Sequence, residues 1–307
     1  MKQQENMDAL HKIYIQRVKM IIEPLVDIIG GMPMSKYWQK RAIETQKRLT
    51  TKSIAETERQ LKKYYTTALN RTKGSFLSTY NKLLRTIEKG REPTPADLYK
   101  LDTYWQLQGE LRQELIKLGD KQTALYNQKF MELFENVYNS MAIKDDNHFN
   151  MFNRQTAEQM INEIWVSDGK SWSQRIWNNT EKLQQALNDE LINCVLTGAD
   201  DKYLRQMLMS EFKVSYGRAD SLIRTEMAHI QTKAAEQRYI DMGVKYVQIW
   251  ADKDERRCDI CGKLHTEVFV LGRDKIPIPA HTNCRCCIIP ITKTQEGQIL
   301  GLLGERR

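Results

Sequence analysis

Five of the six cysteines fall within thirty residues: Cys258, Cys261, Cys284, Cys286 and Cys287. His281 stands three residues before Cys284. The pattern is Cys-x2-Cys, nineteen residues, then His-x2-Cys-x-Cys-Cys. Two short knuckles that close one loop are what a tetrahedral zinc site needs, since each supplies two ligands from one turn. Cys258, Cys261, His281 and Cys284 are the expected ligands. Cys286 is an alternative fourth, because in a strand it points to the same side as Cys284. Cys287 points the other way and reads as a buried thiol. Four protein ligands leave no position open for water, so such a site is structural and no catalytic residue is assigned. The competing reading is a set of reduced thiols in a small core.

The elements around these residues must hold the two knuckles together. Residues 244–250 alternate and read as a strand, 252–257 as a polar turn, 268–271 as a second short strand and 286–291 as a closing one. Pro277 and Pro279 keep 276–280 extended. Gly262 lets the backbone fold tightly after the second cysteine. A β-rich unit of this size has little core of its own and gains from a metal. Before it comes a helix over 215–242 that carries Arg224-Thr225-Glu226, and Gly243 stops it. Arg224 and Glu226 are two apart and cannot pair on a helix surface, so each must reach a different neighbour. His229 lies one turn beyond Glu226 and reads as part of a structural pair.

Further upstream, helices are expected over 173–197, ended by Gly198, and over 202–212. Ser171 or Ser173 caps the first of these after an Asp168-Gly169 turn. Trp165, Trp172 and Trp177 are expected as core anchors, and Cys194 as a buried thiol. The N-terminal half is patterned as long helices. One spans 8–29. Another, or two in sequence with a break near Gly74, spans 35–89. Pro95, with Thr94 as cap, starts a run to about residue 118. Runs over 121–142 and 149–163 follow a break near Gly119-Asp120.

The apolar stripe over 35–89 is thin, which suggests an extended arm, or a hairpin packed on other helices or subunits. From Lys36 to Arg91 there are fifteen Lys or Arg and four Glu, a net of +11 against +8 for the whole chain. A basic helical arm suits non-specific contact with duplex DNA, where each neutralised phosphate releases counterions. Lys36, Lys40, Arg41, Lys47, Arg48, Arg59, Lys62, Lys63, Arg71 and Lys73 are the candidates for DNA or partner contact. The alternatives are a merely solvated helix or an acidic protein partner. No apolar run is long enough to cross a membrane, and the N-terminus lacks a signal-peptide core. Thiols then stay reduced, which favours metal over disulfides.

The helix with Arg224-Thr225-Glu226, Gly243, the strand ending at Trp250, Asp254-x-Arg256-x-Cys258-x-x-Cys261 and His281-x-Asn283-Cys284-Arg285-Cys286 before Pro290 form a combination. It resembles the Mu F-like minor head (head morphogenesis) proteins of tailed bacteriophages, over roughly 172–291. Many members have Pro where this chain has Thr282, and Gly where it has His265 or Thr266. The resemblance implies a virion component present in few copies inside the capsid near the portal vertex. It would associate with the portal protein, and with major capsid or scaffolding protein, and be incorporated in the host cytoplasm during procapsid assembly. It would act in DNA packaging or ejection. Within it, Arg224, Glu226, Asp254 and Arg256 are expected as a polar network joining helix to knuckle, with zinc as a structural ion.

The expected fold is mainly α with a small β-rich knuckle unit. A basic helical arm domain spans 1–165, a compact helical segment 166–243 and the knuckle unit 244–291, and a tail 292–307 follows. The expectation is a non-enzymatic protein. A metal-dependent nuclease or a stand-alone zinc DNA-binding protein competes with it. The nuclease would have only His265 and His281 with Asn283 as material beside the knuckles. The DNA-binding protein would want basic density near the zinc, not at the other end of the chain.

Overall fold

The computed structural model describes residues 33–86, 94–141 and 152–291. The expected helix at 8–29 and the tail at 292–307 lie outside them. Helices dominate: α1 (Pro33–Thr86), α2 (Pro95–Tyr99), α3 (Asp102–Ser140), α4 (Arg154–Ile161), α5 (Trp172–Thr197) and α6 (Asp201–Asp241). The knuckle region adds β1 (Tyr246–Trp250), the short α7 (Asp259–Leu264), β2 (Val268–Val270) and β3 (Cys287–Pro290). The fold is mainly α with one small antiparallel sheet of order β2-β1-β3. No helix among the described residues is long and apolar enough to cross a membrane.

Three expected breaks are absent. Helix α1 runs through Gly74, where an added Cβ would meet only open space. Helix α3 runs through Gly119-Asp120. Gly119 serves packing there, since a Cβ on it would lie 2.6 Å from the Trp177 ring. Trp177 thus uses the missing side chain as its seat, even though its indole is 36% exposed. Helix α6 joins the runs expected at 202–212 and 215–242. Its buried stripe passes without a phase break from Leu204, Leu208 and Phe212 through Ser215 and Ala219 to Ile223. Ser215 and Ala219 look polar or small in sequence, which is why the stripe read as two pieces.

Local signals held where a specific backbone group needs them. Thr94 N–H donates to Asp97 Oδ2 at 3.0 Å to start α2, with Pro95 in its first position. Ser171 caps α5 by accepting from the Gln174 N–H, and Gly198 ends it at φ 63°. The expected 149–163 helix is shorter among the described residues, with Asn153 capping α4.

The described residues divide into two compact units. The second comprises 54–86, 94–129 and 162–223. Its core takes Leu61, Phe76, Tyr80 and Leu83 from α1, together with leucines of α3, α5 and α6. Buried hydroxyls tie the helices: Tyr80 donates to Ala199 O at 2.6 Å and Tyr126 to Ala219 O at 2.8 Å. Burial removes water from both phenols and pushes them up, Tyr80 to about 12. The arm expectation is therefore corrected: this part of α1 is built into a helix bundle and buries its stripe within its own chain. Of the three tryptophans, Trp172 is in the core, Trp165 is half-buried and Trp177 is largely at the surface.

Among the described residues, the first unit comprises 33–53, 130–141, 152–161 and 224–291. Here Phe130, Phe134 and Val137 of α3 and Met227, Ala234 and Tyr239 of α6 are buried with Val247, Ile249, Ile288 and Ile289 of the sheet. Strand β3 is an edge. Alternation along the β1–β3 ladder turns the Ile288 carbonyl away from β1, and Gln46 of α1 donates to it at 2.8 Å. Gln46 is fully buried, so α1 covers the strand edge that would otherwise stay open.

Candidate metal centre

Strand β1 delivers the chain into a polar turn, and Cys258 then caps α7. Its Sγ accepts from the Cys261 N–H at 3.4 Å, so the cap itself brings the two sulfurs of the first knuckle together. The second knuckle follows the extended Pro277–Pro279 stretch. His281 Nδ1 lies 2.7 Å from the Thr282 carbonyl, which accepts its proton and leaves the Nε2 lone pair free to ligate. That Nε2 is 3.3 Å from Cys258 Sγ and 3.0 Å from Cys261 Sγ. Cys284 Sγ is 3.8 Å from Cys261 Sγ.

Two overlapping donor sets result, Cys258–Cys261–His281 and Cys261–Cys284–Cys286, each with its donor atoms within 4.8 Å. The structure thus brings together all five expected ligands, with Cys261 shared. A tetrahedral ion with bonds of about 2.3 Å to sulfur places sulfurs about 3.8 Å apart, which the Cys261–Cys284 separation matches. Soft sulfur and imidazole donors suit zinc or a comparable thiophilic ion. The residues present fit a metal.

The thiols are unequal. The Cys286 thiol donates to Cys284 and lowers its pKa, and the Cys261 N–H does the same for Cys258. Burial raises Cys261, and the hydrogen bond to Cys284 followed by burial raises Cys286. A metal would have to displace the protons of the raised pair, which makes retention weaker in acid. Cys287 lies on the opposite side, is fully buried and is pushed up to about 12, as a plain core thiol. Cys194 is likewise buried and pushed up to about 11.

The expected polar network takes a different form. Asp254 receives Arg285 side-on, with Nη1 to Oδ2 at 2.8 Å and Nη2 to Oδ1 at 2.7 Å. The guanidinium holds the Asp254 carboxyl far below the usual carboxylate range. Arg285 also approaches Asp252 at 3.6 Å, and Asp252 takes the ammonium of Lys47 from α1. Arg256 adds a 3.4 Å contact to Asp254 from an exposed position. Arg285 was missed in sequence although Cys284-Arg-Cys286 carries the signal: with two cysteines facing in, the residue between them faces out.

Of the triplet on α6, Thr225 touches the second knuckle. Its hydroxyl accepts from the Asn283 N–H at 3.1 Å, where Asn283 sits at φ 60°. Glu226 is buried and Arg224 half-buried in the same helix. His265 is engaged with β1, accepting from Ala251 N–H at 3.2 Å and lying edge-on to Trp250.

Thr266 adopts φ 71°, a left-handed conformation that costs a side-chain-bearing residue about 1–2 kcal/mol. Thr266→Gly relieves that strain and adds back about 0.5–1 kcal/mol of chain entropy. A net gain of roughly 0.5–1 kcal/mol in denaturant unfolding is expected; a loss would show that the threonine hydroxyl matters more than the backbone.

His229 is buried in α6, and burial lowers its pKa to about 3, with Lys233 and Lys275 adding to the effect. The unfolded chain titrates near pH 6.5, so below that the unfolded state binds the extra proton. This contribution is whole above about pH 6.5 and is lost as pH falls towards 3, at up to about 1.4 kcal/mol per pH unit. Thermal melts should show a shallower acid loss for His229→Gln than for the wild type; parallel curves would assign the sensitivity to carboxylates instead.

The basic candidates on α1 divide. Lys47 pairs with Asp252 and Arg71 with Glu114 at 2.9 Å, so both have partners in the chain. Lys40 lies 3.8 Å from Glu44, and Arg41 stacks 5.2 Å from the Trp38 ring. Arg48, Arg59, Lys62 and Lys63 are exposed and Lys73 is half-exposed. Lys36 lies in α1, but its side chain is outside the described residues.

Comparison with known proteins gives one family. Residues 185–289, about a third of the chain from within α5 to β3, match the family described as Phage Mu protein F like protein. No curated protein and no solved structure matches the chain. Both knuckles, the Thr225 contact and the whole sheet up to Ile289 fall inside that segment. Over residues 185–289, and there alone among these comparisons, the chain is similar to the Phage Mu protein F like family.

Proposed function

We propose that this protein is a minor head component that joins the procapsid beside the portal protein, inside the capsid, and assists DNA packaging or ejection. It works as a structural part, not as an enzyme. The observation that carries the proposal is the Mu F-like segment itself, closed by a Cys/His cluster with enough donors to saturate an ion. In this reading one zinc ion staples the two knuckles, and contributes no reactive site. The exposed candidates of α1, Arg48, Arg59, Lys62 and Lys63, supply non-specific contact with duplex DNA, and capsid or scaffolding protein is a further neighbour.

Co-expression with the portal protein of the same genome tests this directly. The two should co-purify and sediment together. Absence of a complex, combined with Mg²⁺-dependent cleavage of DNA by the purified chain, would overturn the proposal in favour of a nuclease. Elemental analysis tests the ion separately and should return one zinc per chain.

A further inference from the structure

Within the second unit, Arg59, Lys62 and Lys63 project from about 100° of the arc of α1, all exposed. A shallow groove of about 500 Å³ runs along the same face, lined by Glu56, Arg59, Gln60, Lys63 and Tyr64. Helix α3 contributes Lys121, whose ammonium lies 5.8 Å from the centre of the Tyr64 ring. Glu56, the acidic residue in the lining, is occupied by the largely buried ammonium of Lys129 at 3.3 Å. Among the described residues, Arg59, Lys62 and Lys63 have no ion pair.

Like charges four apart, as at Arg59 and Lys63, weaken a helix. Lys121, held over the Tyr64 ring by a favourable cation–π contact, adds a further cation from a second helix to this groove. We infer that Arg59, Lys62, Lys63 and Lys121 form a seat for the phosphate backbone of duplex DNA. It lies on helices outside the Mu F-like segment. The arginine offers a planar fork to phosphate oxygens, the lysines offer point charges, and Gln60 offers an amide donor. Contacts of this kind position a duplex without reading its sequence. The inference rests on the DNA contact proposed above and narrows it to one turn of α1 and its neighbour on α3. The candidates Lys47 and Arg71, held by acidic partners, fall outside it.

Salt titration of the full-length protein on a fluorescent duplex tests the seat. Wild-type affinity should fall linearly on logarithmic axes, with a slope of about −0.9 for each phosphate contacted. The triple variant R59Q/K63Q/K121Q should make that slope shallower by about 2–3. K82Q/R85Q, exposed further along α1, should keep the wild-type slope, and circular dichroism should be unchanged throughout. A wild type that binds DNA with a slope unaltered in the triple variant overturns the seat and leaves DNA contact standing. A wild type that does not bind duplex DNA even at low salt overturns both. Binding of polyglutamate but not DNA through the same three residues makes the seat a dock for an acidic protein, and overturns the nucleic-acid assignment.

Discussion

Replacing Cys261 by Ser is expected to abolish metal retention and to unfold the knuckle region. Cys261 belongs to both donor sets, lies 3.0 Å from His281 Nε2 and 3.8 Å from Cys284, and is 5% exposed. No other candidate ligand is shared in this way. A structural zinc contributes about 10–16 kcal/mol of apparent binding free energy in small peptides, and only part of that is needed to hold a three-stranded sheet. Elemental analysis should fall from one zinc per chain to none, and protease should cut within 250–286. The contrast is Cys287→Ser, on the other side of the strand. It should keep the metal and cost about 1–3 kcal/mol for burying a hydroxyl without a planned partner. Equal metal content in Cys261→Ser and wild type would remove the staple from the account, and so would a wild type with no metal.

Truncating Phe76 to alanine is expected to cost about 3–5 kcal/mol of stability, on the order of 10 °C in melting temperature. Phe76 has 0% exposure in α1, in the same core as Leu61, Tyr80 and Leu83. The surrounding helices are pinned by buried tyrosine hydroxyls and cannot close the space cheaply. Lys62→Ala, exposed and about four turns away along α1, should stay within about 0.5 kcal/mol. If both variants melt with the wild type, α1 is the loosely attached arm that its thin apolar stripe suggests in sequence.

The sites differ in how far spacing alone could reveal them. Local chemistry fixed the cysteines and His281, because a Cys-x2-Cys turn and a His-x2-Cys turn each set their own ligand geometry within four residues. It also fixed the caps at Thr94 and Ser171 and the stop at Gly198, where one backbone group needs one side chain. The single Gly119 shows the limit. Its identity reads as a helix break, whereas its cause is an indole fifty-eight residues away along the chain. Arg285 shows the same limit for charge. Its spacing says only that it faces outward, and the two aspartates it grips are chosen by how the turn after β1 folds back.

By itself, the sequence determined the helical class, the short strands, the five Cys and His residues that cluster and the Mu F-like pattern. Each of these depends on periodicity or on contacts within a few residues. Tertiary structure alone decided that α1 is a core helix, that Gln46 covers the edge of β3 and that Lys47 and Arg71 are paired while Arg59, Lys62 and Lys63 are not. It also placed Thr225 on the second knuckle. The reason is physical: a thin apolar stripe and a row of cations are compatible with solvent, a partner or a neighbouring helix. Only the packing of helices remote in sequence fixes which of these each side chain meets.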